Sequence, residues 1–159
     1  MAICNPMELR ERLSPDECLI GLDVGDKTIG IAFSDPSCKI ATPYETLSRS
    51  KFRNDMETLR RYITAHRAGG IVVGLPINMN GTEGPRCQST RAFANNLLQA
   101  IALPLVFWDE RLSTAAVTRI LLEADLSRKR RGEVVDKLAA AYILQGLLDS
   151  LTALQQGAR

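Results

Sequence analysis

Three acidic positions stand where carboxylates are costly. Asp23 interrupts the apolar run CLIGLDV at residues 18–24, and a lone buried carboxylate is strongly unfavourable unless a cation or hydrogen bonds compensate it. Asp109 and Glu110 leave the apolar run LPLVFW immediately before Arg111. Side chains alternate between faces along a strand, so only one of the two shares a face with Asp23, and spacing alone does not say which. Asp136 precedes Leu138, Ala139, Ala140 and Ala141, small residues that let a helix approach a sheet closely. Each acid also has a plain structural use: capping a turn, pairing with Arg111, or complementing a helix dipole. Taken together they can converge at one sheet edge, and convergent carboxylates repel one another until a cation joins them. Hard oxygen donors without His or Cys point to Mg²⁺ or Mn²⁺ rather than zinc. Two such ions about 4 Å apart can activate water and stabilise the leaving oxygen of a phosphodiester.

The rest of the chain offers no comparable chemistry. His66 is the one histidine, so any Ser-His or Cys-His mechanism must pass through it, and its polar helical surroundings read as surface. Cys4, Cys18, Cys38 and Cys87 are far apart and form no Cys-x-x-Cys pair. Reduced thiols in a cytoplasmic protein are therefore expected. Gly25, Gly30 and the Gly-rich stretch 74–84 could bring backbone amides to phosphate or simply make turns, and neither GxGxxG nor GxxxxGK[ST] is present. Basic residues cluster at Arg128, Lys129, Arg130 and Arg131, near Asp136. Beside a phosphodiester site that run reads as a contact for a nucleic-acid backbone, which Lys27, Arg86, Arg91 and Arg111 can extend. Aromatic residues are only 5% of the chain, so stacking on single-stranded bases should be a minor contribution.

What must position these groups is one ordinary domain. The chain has 159 residues, 45% apolar and 24% charged, with a net charge of +2; this excludes disordered, fibrous and disulfide-scaffold classes. No apolar stretch approaches the roughly 20 residues of a membrane span. Residues 1–18 form a polar leader without a secretory signal's apolar block. Two strands follow, at 18–24 and 27–34, joined by the Gly25-Asp26 turn as a hairpin. A third, edge-like strand at 39–47 is interrupted by Pro43. Phe52, Met56, Leu59 and Ile63 then recur at helical spacing, with Gly69-Gly70 as the expected stop. A buried strand at 71–75, a helix at 86–102 and a strand at 103–108 come next. Ser113 or Thr114 would cap a helix with the stripe Val117, Ile120, Leu121 and Ala124. The last helix, 133–154, is apolar on most of its circumference and carries Asp136 in its first turn. The order predicts an α/β fold: a mixed, hairpin-led five-stranded sheet covered by helices on both faces.

Four blocks then match a known pattern: GLDVGDKTIGIAFSD (21–35), GLPINMNGTEGP (74–85), DERLST (109–114) and VDKLAAAYILQ (135–145). They closely resemble the YqgF/RuvX family, small bacterial proteins with an RNase H-like fold. That family is described both as Holliday-junction resolvases and as nucleases that mature the 5′ end of pre-16S rRNA. The resemblance implies an RNase H-like nuclease domain over residues 19–155. It also implies a metal-dependent phosphodiester hydrolase whose catalytic and metal-holding carboxylates are Asp23, Glu110 and Asp136, choosing Glu110 over Asp109. Arg111 or Lys27 would hold the scissile phosphate. One departure is Thr28, where the family usually has Arg. The implied partners are structured RNA or branched DNA, and ribosomal precursor particles, for a monomer or a homodimer. Two other readings stand beside this one: a nucleotide-phosphate site, since the first block also resembles the phosphate loop of actin-like ATPases, and a non-catalytic nucleic-acid or ribosome-assembly module.

Overall fold

The computed structural model describes residues 3–112 and 128–157, and the side chains of 3–112 and 135–154. The order is α1 (Pro6–Arg12), β1 (Cys18–Val24), β2 (Thr28–Ser34), β3 (Ala41–Ser48), α2 (Phe52–His66), β4 (Ala68–Leu75), α3 (Pro85–Ala100), β5 (Leu105–Asp109), a 3₁₀ turn (Glu110–Leu112) and α4 (Arg128–Gly157). The capped helix expected from Ser113 or Thr114 lies outside the described residues.

The strands form a five-stranded sheet in the order β3-β2-β1-β4-β5. β1 pairs antiparallel with β2, and β2 with β3, while β1, β4 and β5 run parallel. This is the expected hairpin-led mixed sheet, with helices on both faces. β3 is an edge strand, and its pairing slips at Pro43 and Tyr44, where a proline with no N–H cannot continue the ladder.

Alternation along the strands separates two cores. One face sends Ile20, Leu22, Ile29, Ile31, Ile71 and Val73 against Met56 and Leu59 of α2 and Phe93 and Leu97 of α3. The other sends Leu19, Ala32, Val72 and Val106 against Ala140, Ile143, Leu144, Leu147 and Leu151 of α4. Burying a side chain of this kind contributes about 1.5–3 kcal/mol, so α4 is held mainly by its packing on the sheet.

Three elements differ from the sequence expectations. Gly69 and Gly70 do not stop α2; they lie inside β4. The helix ends one turn earlier in effect, at His66, because Arg67 takes a left-handed conformation (φ 56°) and its N–H bonds back to the Ile63 and Thr64 carbonyls. The glycines serve packing instead, since a methyl at Gly70 would come within 2.5 Å of Leu9 Cδ1. The polar leader is structured: Asn5 caps α1 by accepting from the Glu8 N–H at 2.9 Å. Leu9 is fully buried in the α4-side core, and the Cys4 N–H bonds to the Leu105 carbonyl at the sheet's far edge. Finally, α4 opens at Arg128 rather than 133, so the basic run is helical.

Candidate functional site

Asp23, Glu110 and Asp136 lie about a row of three residues across the sheet, Gly30, Asp23 and Gly74. Asp23 sits at the carboxyl end of β1 on the α4 face, as the alternation of Leu19, Gly21 and Asp23 requires. It is 6% exposed. Directly opposite it in β2 is Gly30. On the other side, one step beyond the Leu22–Val73 pair, is Gly74 of β4. The two glycines leave open the space on either side of Asp23.

Each space is filled by another acidic residue. A methyl group at Gly30 would run into the main-chain carbonyl of Asp136, so α4 lies directly on β2 at that point. The Thr28 hydroxyl, one residue pair further along the same face, donates to Asp136 Oδ2 at 2.5 Å. At Gly74, a methyl would come within 2.9 Å of Glu110 Oε1 and 2.5 Å of Ile143 Cδ1. Glu110 therefore reaches back from the 3₁₀ turn over the end of β4, on the face that carries Asp23. The charge of Glu110 is also felt at Cys87 in α3, whose thiol is raised first by burial and then by Glu83 and Glu110.

Asp109 occupies the opposite side of the strand end. It accepts from the Arg111 N–H at 2.9 Å and from Arg111 Nε and Nη2 at 3.1 and 2.7 Å. Those hydrogen bonds hold its carboxyl below the usual carboxylate range. Asp109 is thus the acid that pairs with Arg111, and Glu110 is the acid that lies by Gly74 on the Asp23 face.

The cations divide into three groups. Arg111 is committed to Asp109 and to the Asn78 carbonyl at 3.4 Å, so its charge is already partly matched. Arg91 is likewise bound to Glu83 at 2.6 and 2.9 Å and lies 4.9 Å above the Phe107 ring. Lys27 is exposed in the turn between β1 and β2, beside the Asp23 row. Arg128, Lys129, Arg130 and Arg131 lie on the opening turns of α4, but their side chains fall outside those described.

Two expectations are corrected. Asp136 is not in the first turn of its helix but more than two turns inside it, because α4 starts at Arg128. Its placement comes from contact with Gly30 and Thr28, not from the helix dipole. His66 is half-buried rather than fully at the surface: its ring stacks on Phe33 with centroids 3.9 Å apart and contacts Tyr44 edge-on at 4.6 Å. Two contributors escaped the sequence reading. Thr28, set apart only as a departure from Arg, orients Asp136. Arg49 donates to the Gly25 carbonyl at 2.7 Å and lies 5.1 Å above Phe93, bracing the turn that follows Asp23. A threonine on the Gly30 face was the signal for the first; nothing in the local pattern marked the second.

As a donor set, Asp23, Glu110 and Asp136 supply only hard oxygens, which suits Mg²⁺ or Mn²⁺. They are not drawn into a closed cage: among the described residues, no group of three or more His, Cys, Asp and Glu side chains is assembled closely enough to hold a metal ion. The fit is one of chemistry and of shared sheet end.

A hairpin-led mixed sheet with one long helix laid over an acidic strand end is an RNase H-like architecture. Two solved structures share the fold: Thermus thermophilus RuvC in complex with a Holliday junction substrate (TM-score 0.53, 12% identity, 86% of this chain and 96% of that one) and the yeast mitochondrial Holliday junction resolvase (TM-score 0.52, 12% identity, 93% and 84%). The chain belongs to the RuvX family, whose model, described as Holliday junction resolvase, matches residues 17–150. Among its relatives, a protein of Paramagnetospirillum magneticum is 60% identical over 150 residues, covering 94% of this chain and 97% of the relative. One of Rhizobium meliloti is 49% identical over 158 residues, covering 99% and 96%. Both are named "Putative pre-16S rRNA nuclease".

Proposed function

We propose that this protein is a divalent-metal-dependent endonuclease that hydrolyses a phosphodiester bond at the 5′ end of precursor 16S rRNA. The observation that carries the chemistry is the Gly30–Asp23–Gly74 row. A buried carboxylate is flanked by two side-chain-free positions, one taken by the Asp136 backbone and the other by the Glu110 carboxylate. The substrate rests on the names of relatives that match nearly the whole chain at 60% and 49% identity.

Asp23, Glu110 and Asp136 would hold Mg²⁺ or Mn²⁺, which when bound supplies an activated water and charge neutralisation at the phosphate. The protein's own groups do the rest. Burial keeps Asp23 facing the sheet end, and Thr28 fixes which oxygen of Asp136 is turned away from β2. Lys27 and the run Arg128–Arg131 meet the nucleic-acid backbone, while Asp109 holds the Arg111 guanidinium beside the strand end, ready to turn to a phosphate. Cys4, Cys18, Cys38 and Cys87 are all free thiols, which suits work in the cytoplasm on ribosomal precursor particles. Among the described residues, no helix is long and apolar enough to cross a membrane.

A second reading, a resolvase acting on branched DNA, is favoured by the family description. One assay separates the two. Wild type and Asp23→Asn are offered labelled precursor 16S rRNA and a synthetic four-way DNA junction, each with Mg²⁺, Mn²⁺ or EDTA. Metal-dependent cutting of the RNA, reduced about a hundredfold or more in the variant with binding retained, is expected. Cutting of the junction alone would transfer the assignment to the second reading. Full activity in Asp23→Asn would overturn the carboxylate mechanism.

A further inference from the structure

Met79 is 90% exposed, an apolar side chain standing almost wholly in water. Its neighbours are Asn78 and Asn80, and it occupies the tip of the loop that leaves β4 just after Gly74. The tip is closely braced. The Asn78 N–H bonds to the Thr82 carbonyl at 3.0 Å and the Gly81 N–H to the Asn78 carbonyl at 2.8 Å. Asn80 Oδ1 accepts from the Thr82 N–H at 3.0 Å and from the Thr82 hydroxyl at 2.6 Å, and Asn78 Nδ2 donates to that hydroxyl at 3.1 Å. Gly81 closes the turn at φ +88°, a conformation other residues rarely adopt. Both amide side chains are therefore engaged within the loop, and among the exposed residues 78–83 Met79 is the apolar side chain that the tip presents.

Its position is also set. Arg111 Nη1 lies 3.4 Å from the Asn78 carbonyl, and Arg111 follows Glu110 directly in the chain. The loop thus stands beside the acidic end of the sheet. A surface for another protein buries several apolar side chains in a packed patch; here a single unbranched, polarisable side chain projects from a polar, self-satisfied turn. Apolar wedges of this size enter base steps, partly unstacking them.

We infer that Met79 is a wedge that enters the base stack of the bound nucleic acid beside the phosphate to be cut, holding one base step open while the backbone lies along the Asp23 end of the sheet. The reaction it serves is the nuclease reading above; the wedging itself is a binding property and is measurable without cleavage. Because the side chain packs against almost nothing, substituting it should leave the fold intact.

The test compares wild type with Met79→Ala and Met79→Leu on fully paired substrates, precursor 16S rRNA and a four-way DNA junction. The same substrates are also made with an abasic site or mismatch at the step next to the cut. Met79→Ala should cut the paired substrate about tenfold more slowly or worse, cut the pre-opened one at the wild-type rate, and be rescued by Met79→Leu. In parallel, 2-aminopurine is stepped through the paired substrates and its fluorescence read on binding of Asp23→Asn and of Asp23→Asn/Met79→Ala. A local rise in fluorescence with the first and none with the second is expected. Equal cleavage of both substrates by Met79→Ala, with unchanged fluorescence, would overturn the wedge and leave the nuclease standing. If wild type cuts neither substrate, the nuclease reading fails. The wedge is then decided by fluorescence alone: kept if the Met79-dependent rise is present, discarded if it is absent.

Discussion

At Asp136 two requirements fall on one residue. Its main-chain carbonyl lies against Gly30, and its carboxylate accepts the Thr28 hydroxyl at 2.5 Å. The first contact anchors the helix and the second turns the acid. Thr28→Val should therefore lower stability by about 1 kcal/mol, the usual worth of one hydrogen bond, yet slow cleavage several-fold, because Asp136 loses its orientation. Thr28→Ser should restore both, as read by urea unfolding and by initial rates. Asp35, in the β2–β3 turn, gives a separate handle. Desolvation pushes its carboxyl up, but the N–H groups of Lys39 and Ile40, both at 2.8 Å, and the Ser37 hydroxyl outweigh it and bring the group down to about 2. A carboxylate with a depressed folded value stabilises the fold above its ordinary value of 3.8 and loses that contribution as pH falls toward 2. Wild-type stability should thus drop between about pH 4 and 2, and Asp35→Asn should be less stable at pH 7 with a flatter acid profile.

At the scale of elements, the site depends on how closely α4 lies on the sheet. Gly21 and Gly30 have no side chains where Ala140, Leu144 and Asp136 come down, and Gly74 has none where Ile143 and Glu110 do. Gly30→Ala should destabilise the protein by about 1–3 kcal/mol, the range for overpacking a filled contact, and should abolish cleavage by lifting Asp136. A denaturant midpoint shift without loss of activity would show that α4 can yield there. Much of this layout was readable in the residues. CLIGLDV announced β1 because an apolar run with one acid has few other uses, and the α2 stripe followed from its spacing. The depth of Asp136 within α4 was not readable, since a run of four basic residues resembles a solvated connection until it is placed on a helix. Nor could Gly69-Gly70 be recognised as strand, because the residues that crowd them, Glu17 at Gly69 and Leu9 of α1 at Gly70, lie some fifty to sixty positions away in the chain. The division of labour between Asp109 and Glu110 required the family resemblance; strand alternation stated the choice but could not make it. Lys27 and Arg111 were legible as cations near the site, whereas the engagement of Arg111 by Asp109 was a matter of rotamer and turn geometry.

Over the whole molecule, charge is nearly balanced, at +2. Affinity for nucleic acid must then come from a local surface and not from a general field. Binding should weaken steeply with salt, and Arg128→Ala/Lys129→Ala should flatten the plot of log K against log salt by about 0.7–0.9 per lost phosphate contact. An unchanged slope would move the contact elsewhere. The long α4 has a further consequence. It meets Gly30 through Asp136, Gly21 through Ala140 and Leu144, and the β2–β3 turn through Gln145, which accepts from the Ala41 N–H at 2.8 Å and donates to the Lys39 carbonyl at 2.9 Å. Inserting one residue between 136 and 140 would rotate Asp136 by about 100° relative to those anchors. The sheet would keep its apolar cover while the acid swung off it. Such a length variant should remain folded but be catalytically silent, and it should bind nucleic acid more weakly, because Arg128–Arg131 turn with Asp136 on the same helix. The helix behaves as a key whose notch must stand at a set distance from its bow.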